Sequence, residues 1–377
     1  MLPPPPNPLT LPGLGPTPGM LADVDVMLEE TQTGRFMFGV GVNSDAGVIG
    51  NIVIDERNFD LFRVPRSWQD VGNGQAFRGG GQGFRLEALP GTRVQRYTIS
   101  LTEPYLFGTQ ISSNISGYFF NRRFFDWDEQ RFGGRLGFGY RLGPDLSTAM
   151  NVRAEQVEIT NPRTVGTAPQ LDAVIGEHDV FSGRVSLTHD TRDIAFAPTE
   201  GHLFEMSYEQ VFGSFNYPRG NVDYRQYFLV HQRPDFSGRH TVGFSFRLGV
   251  SGDDTPIFEN YFAGGFSTMR GFDFRGASPV VGGVIVGGRF QFLGSVEYLF
   301  PITADDMLRG VAFVDYGTVE EDIEINGDNY RVAPGFGLRI FVPAMGPAPI
   351  ALDFAFPIAS APFDDRQIFS FFIGMNR

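Results

Sequence analysis

The chain has no cysteine, no lysine and only two tryptophans in 377 residues. The lack of cysteine rules out disulfides and thiolate metal sites. The lack of lysine makes all 30 strongly basic side chains arginine; against 43 carboxylates they leave a formal net charge of −13. The simplest reading of the missing lysine is the codon composition of a GC-rich genome. No basic stripe is present to neutralise phosphates, so a nucleic-acid partner is excluded. No apolar run approaches the roughly 18–20 residues that a membrane-spanning helix needs. Nor is there a convincing stretch of 3.6-residue periodicity, which a soluble helical or mixed enzyme of this length would show. The amino terminus lacks both the basic and the apolar region of an export signal.

Phenylalanine (39), glycine (48) and proline (26) are abundant, yet the mean hydropathy is slightly negative. The order of these residues explains the combination. In 241–250, Val242, Phe244, Phe246, Leu248 and Val250 share one parity, while Thr241, Gly243, Ser245, Arg247 and Gly249 share the other. In 289–300, Phe290, Phe292, Val296, Tyr298 and Phe300 oppose Arg289, Gln291, Ser295 and Glu297. In 331–342, Val332, Phe336, Leu338, Ile340 and Val342 oppose Arg331, Gly335, Gly337 and Arg339. A strand sends alternate side chains to opposite faces, whereas a helix would scatter them. The second face is small or charged, with arginines at 135, 141, 184, 247, 289 and 339, which suits a polar lumen better than the outer face of a soluble sandwich.

The pattern predicts an all-β fold: a transmembrane antiparallel barrel of about sixteen strands. Strands are expected at 35–43, 46–58, 75–89, 93–102, 110–121, 131–142, 147–159, 180–189, 202–212, 224–233, 240–250, 288–300, 308–316, 331–342, 348–357 and 367–376. Short or proline-marked turns at 102–109, 143–146, 190–201, 233–239, 301–306 and 343–348 alternate with longer polar loops at 121–130, 160–179, 213–223, 251–287 and 317–330. Outer-membrane barrels place short turns in the periplasm and longer loops outside. An even strand count then puts both termini on the periplasmic side. Residues 1–23 read as a Pro/Gly-rich linker, 24–34 as the end of a preceding periplasmic repeat domain, and 35–377 as the barrel. Since export needs a signal, the chain is expected to be the carboxyl-terminal part of a longer precursor.

Within the 251–287 loop lies YFAGGFSTMRGFDFRG (261–276). Together with VDVMLEETQTGRFMFGVGVNSDAGVIGNI (24–52), TEPYLFG (102–108), HDTRDIAFAPTEGHLFEMSYE (189–209), SVEYLFPI (295–302), VAFVDYG (311–317), GFGLRIFVPAMGPAPIALDFAFPI (335–358) and FSFFIGMNR (369–377), it gives the chain an ordered resemblance, over about 24–377, to the barrel of the BamA-type outer-membrane protein assembly factors. The resemblance implies that the loop between strands 11 and 12 folds into the lumen. Its tip, Met269, Arg270, Gly271 and Phe272, would dock on a wall formed by Glu297, Phe313 and Asp315. It also implies a lateral seam between the first and last strands, involving Phe36, Phe38, Val40, Phe369, Phe371 and Ile373, with Gly374 at a kinked end, and a periplasmic turn motif of Asp190, Arg192, Asp193, Pro198 and Gly201. The chain departs from the family at Met269, where a β-branched aliphatic is usual, and at Arg377, where an aromatic usually ends the chain.

The function implied is the folding and insertion of other barrel proteins into the outer membrane, with no cofactor and no metal. The partners would be the lipid bilayer, unfolded barrel substrates and accessory periplasmic or lipoprotein subunits. The alternatives are a secretion pore of the same superfamily and a passive diffusion porin. Enzymatic readings find little support. The histidines at 178, 189, 202, 231 and 240 are scattered, and the His189–Asp190 pair falls in the turn motif. Asp253–Asp254 and Glu320–Asp322 are acidic loop clusters with Ca²⁺-type chemistry, read here as solvated loops.

Overall fold

A computed structural model describes residues 32–195, 197–342 and 349–373. Among these, sixteen antiparallel strands close into one barrel. They are β1 Gly34–Asn43, β2 Gly47–Phe59, β3 Gln82–Leu89, β4 Val94–Glu103, β5 Ile111–Arg123, β6 Asp128–Arg141, β7 Leu146–Thr160 and β8 Gly176–Asp190. The second half comprises β9 Gly201–Gly213, β10 Tyr217–His231, β11 His240–Ser251, β12 Phe290–Pro301, β13 Leu308–Glu320, β14 Arg331–Ile340, β15 Ile350–Ala355 and β16 Phe369–Ile373. The alternation in the sequence becomes inside and outside. Phe132, Leu136, Phe138 and Tyr140 of β6 are exposed outward. On the opposite parity, Arg131 and Arg135 point inward, reaching Glu129 and the Tyr118 ring respectively.

The expected ladder differs from the structure at three places. The predicted 213–223 loop is mostly strand: only residues 214–216 separate β9 from β10, and Tyr217, Pro218 and Arg219 pair with Val211, Gln210 and Glu209. The 121–130 loop likewise shrinks to 124–127, because Arg122 and Arg123 pair with Glu129 and Asp128. Cross-strand partners of opposite charge continue the ladder where polarity suggested that it stops. The third difference runs the other way. The strand expected at 75–89 starts only at Gln82, and residues 60–81 form a long connection that breaks the predicted alternation of short turns and long loops. It contains one short helix, α1 (Trp68–Gly72), whose first turn is closed by reciprocal bonds between Ser67 and Asp70.

The interior is packed around the segment that links β11 to β12. Tyr261, Ala263, Met269, Phe272 and Ala277 of that segment form an apolar cluster with Leu293, Val319 and Ala333 of the wall. A second cluster joins Ile257 and Phe258 to Trp127, Val157, Ile159 and Leu171. The expected linker (1–23), most of the preceding repeat segment (24–34) and the turn at 343–348 lie outside the described residues, as do Gly374 and Arg377.

Candidate functional site

The β11–β12 segment crosses the lumen and is fixed there by ionic contacts at two places. At the first, Arg270 is 6% exposed and Asp315 3%. Arg270 Nε donates to Asp315 Oδ2 at 2.8 Å and Nη2 to Oδ1 at 2.6 Å, a two-pronged match of guanidinium and carboxylate. The Arg270 backbone N–H donates to the same carboxylate at 3.0 Å. Nη2 also lies 2.7 Å from Glu297 Oε1 and 3.2 Å from the Ser295 hydroxyl, and Nη1 lies 3.7 Å from Asp353 Oδ2. The guanidinium carbon sits 3.4 Å from the centroid of the Phe313 ring.

Strand register explains why these groups meet. Ser295 is paired with Asp315 and Glu297 with Phe313 across β12 and β13, so all four present one inward patch. Phe313 has room because its neighbour on β14 is Gly335, where a Cβ would collide with the ring. Gly271 has φ +93°, and its position lies against Pro357 and Ala355, so a side chain there would meet both strain and contact. Gly271 and Phe272 pair in turn with Gln367 and Arg366, just before β16. Burial alone would lower the Arg270 pKa, but the carboxylates of Glu297 and Asp315 outweigh it and hold the group well above its ordinary value. Ser295, Asp353 and the Arg339 that pairs with Asp353 at 2.6 Å are part of this site, yet were missed in the sequence. Their inward parity is the only trace that the sequence carries of them.

The second fixing point has the opposite sign. Glu259 is buried among three wall arginines: Arg131 at 2.6 Å, Arg153 at 3.3 Å and Arg219 at 3.2 Å. Burial pushes its carboxyl up, and the three guanidiniums more than reverse this, so it sits well below the usual carboxylate range. The wall arginines have partners of their own, Glu129 and Glu155 for Arg131 and Glu209 for Arg153. A third buried pair, Arg331 with Asp364 at 2.7 Å, holds the connection between β15 and β16.

At the seam, β1 and β16 share two register pairs, Val42↔Ile373 and Asn43↔Phe372, among the described residues. Phe36, Phe38 and Val40 of β1 are exposed outward. Phe369 is also exposed, and Phe371 and Ile373 are half-buried. The lumen segment reaches this seam. The Phe266 ring stacks on Phe372 at 5.7 Å, and the Phe266 N–H donates to Asp45 in the β1–β2 turn at 3.4 Å.

The turn motif gathers as a structural unit. Arg192 donates to both oxygens of Asp190 at 2.8 Å, and Asp193 accepts from the Thr199 N–H and hydroxyl at 2.9 and 2.7 Å, closing a turn that contains Pro198. Gly201, at φ +88°, packs against the Thr191 carbonyl, leaving no room for a Cβ. His189 and His202 contact each other at 2.8 Å, and His202 contacts the Thr191 hydroxyl. The acidic loop clusters face a guanidinium: Asp253 and Asp322 both pair with Arg289. Arg289, expected on the lumen wall, sits just before β12 at the rim.

An antiparallel barrel with a lipid-compatible exterior and a charged, loop-filled interior belongs to the class of outer-membrane transmembrane β-barrels. The Omp85 superfamily domain matches residues 76–376, and the chain belongs to that family. It is 25% identical over 317 residues to the outer membrane protein assembly factor BamA of Nitratidesulfovibrio vulgaris, covering 81% of this chain and 37% of that protein. It is 22% identical to BamA of Neisseria meningitidis serogroup B, covering 93% of this chain and 48% of that protein. The chain thus spans less than half the length of these curated relatives. Among solved structures, BamA from Haemophilus ducreyi lacking POTRA domains 1–3 superposes with a TM-score of 0.73 at 17% identity, covering 92% of this chain and 70% of the other. CdiB from Acinetobacter baumannii reaches 0.59 at 13% identity, covering 91% and 59%.

Proposed function

We propose that this barrel folds and inserts other β-barrel proteins into the outer membrane through the seam between β1 and β16. The observation that carries the reading is that the first and last strands meet edge to edge at Val42↔Ile373 and Asn43↔Phe372, where the lumen segment stacks Phe266 on Phe372. In hydrocarbon every backbone N–H and C=O needs a partner, so an opened seam offers a template that an incoming strand satisfies by adding to the sheet. The lumen segment, held at Arg270 and touching Phe372, links the state of the interior to the seam. In this reading the termini are periplasmic. The exposed turn at 191–200 then faces the periplasm with them, and accessory subunits dock on that side.

A cysteine pair at Asn43 and Phe372 tests the reading in vesicles carrying the purified protein. Oxidation should abolish insertion of a denatured barrel substrate, and reduction should restore it. Full insertion activity in the cross-linked state would sink the seam mechanism. Passage of a secreted polypeptide across the vesicle wall without insertion would instead favour a translocation pore.

A further inference from the structure

The connection between β2 and β3, residues 60–81, takes no part in either lumen anchor or in the seam. Because β1 and β2 are antiparallel neighbours, it lies at the end of the barrel where β1 begins and β16 ends. Its root is fixed on the lipid side of the wall. Phe84 of β3 pairs with Leu101 and has the parity of Leu86, which is paired with the exposed Ile54, so it faces outward. Phe59 stacks on Phe84 at 4.8 Å and on Phe77 at 5.6 Å, and the three rings carry the outer wall into the connection.

Beyond that stack, large apolar side chains stand in the open. Trp68 is 88% exposed and Phe62 84%, with Val64 and Val71 also exposed. Arg63 and Arg66 are interleaved with them. Two other turns at the same end, the nearby 104–110 and the distant 232–239, do likewise: Phe107 is 94% exposed, and Tyr105 and Phe236 are exposed. A contiguous apolar surface left in water is unfavourable. Aromatic rings with interspersed cations are instead the composition that settles at the boundary of headgroups and acyl chains.

We propose that residues 60–81 form a membrane-interface element, with Trp68 and Phe62 inserted at the headgroup–acyl boundary and Arg63 and Arg66 directed to lipid phosphates. The occupant is a lipid surface because the element grows out of the lipid-facing wall and continues its aromatic rim. The inference requires only that the barrel sits in a bilayer, so it can fail while the assembly reading stands, and the converse also holds.

The two tryptophans make a direct test. Trp127 is fully buried, whereas Trp68 is exposed. In Trp127→Phe protein reconstituted into phosphatidylethanolamine–phosphatidylglycerol vesicles, Trp68 emission should be blue-shifted. It should lose most of its intensity to lipids brominated near the carbonyl end of the chain and less to lipids brominated near the methyl end. If Trp127→Phe fails to fold, the difference between the parent chain and Trp68→Phe isolates the same signal. Water-like emission that acrylamide quenches fully and bromolipids leave untouched would overturn the inference. In that case the surface is a docking face for a soluble protein.

Discussion

The lumen segment is held at two points by the same chemistry with the signs reversed. At Arg270 a loop cation enters a wall of carboxylates, and at Glu259 a loop carboxylate enters a wall of guanidiniums. They differ in redundancy. Asp315 has ion-pair contact with no guanidinium other than that of Arg270 among the described pairs, whereas Arg131 and Arg153 keep Glu129, Glu155 and Glu209 when Glu259 is taken away, and Arg219 keeps its bond to the Tyr261 hydroxyl. A buried charge deprived of its partner is far more costly than one that retains another. The contrast therefore ranks the two sites: the Arg270 anchor is brittle and the Glu259 anchor is tolerant.

The largest expected effect is at the brittle anchor. Arg270→Ala strands the buried Asp315 carboxylate and should destabilise the barrel by about 3–5 kcal/mol, read from denaturant unfolding in detergent. Stability equal to that of the parent chain would remove the basis for ranking the sites. Next in size, the exchanged pair Arg270→Asp with Asp315→Arg should recover part of that loss. Asp353 and Glu297 would then face an arginine displaced from its first position, so full recovery is not expected. No recovery at all would mean that the fork geometry and the Phe313 ring, and not the charge, hold the tip.

Glu259→Gln should cost less, about 1–3 kcal/mol, as a lost charged hydrogen-bond acceptor in a network that keeps its other carboxylates. A loss as large as that of Arg270→Ala would show that the surrounding glutamates do not substitute. The smallest effect is one of pH. Because Glu259 has a folded pKa depressed below its unfolded value of about 4.3, its contribution is complete above that value and is lost only as pH falls through the lower folded value. Protection factors for hydrogen exchange of residues 252–289, taken against the intrinsic rate at each pH, should therefore stay flat from neutral pH to about 4 and fall only below it, and Glu259→Gln should remove that acidic step. A transition centred on the ordinary glutamate range would show that the three arginines do not hold the carboxylate.

Much of the wall was legible in the residue order. Strands such as 202–212, 240–250 and 308–316 fall within a few residues of β9, β11 and β13, because a barrel with lipid outside and charge inside forces a strict period of two. The segments that misled are those where polarity and strand end part company. Pro218 and Arg219 look like loop but pair with β9, while 75–81 looks like strand and joins the 60–81 connection. The Arg270 tip was visible through its motif, which the resemblance to the BamA-type barrels places in the lumen against inward carboxylates. Glu259 was not, because an isolated glutamate in a loop is ordinary until three arginines from β6, β7 and β10 surround it.

The sequence by itself determined that the chain makes a barrel and which side of each strand meets lipid, because alternation is a local property that any strand obeys. Its resemblance to the BamA-type barrels also marked Arg270 as the tip of the lumen loop. Only the tertiary structure decided where the charges close on one another. Register across neighbouring strands places Ser295 beside Asp315 and Glu297 beside Phe313, and barrel closure brings Arg131, Arg153 and Arg219 to a single carboxylate. The β1–β16 seam belongs to the same level. It arises where the two ends of the sheet meet, and how far two distant strands overlap is set by the closure of the whole ring and not by either strand alone.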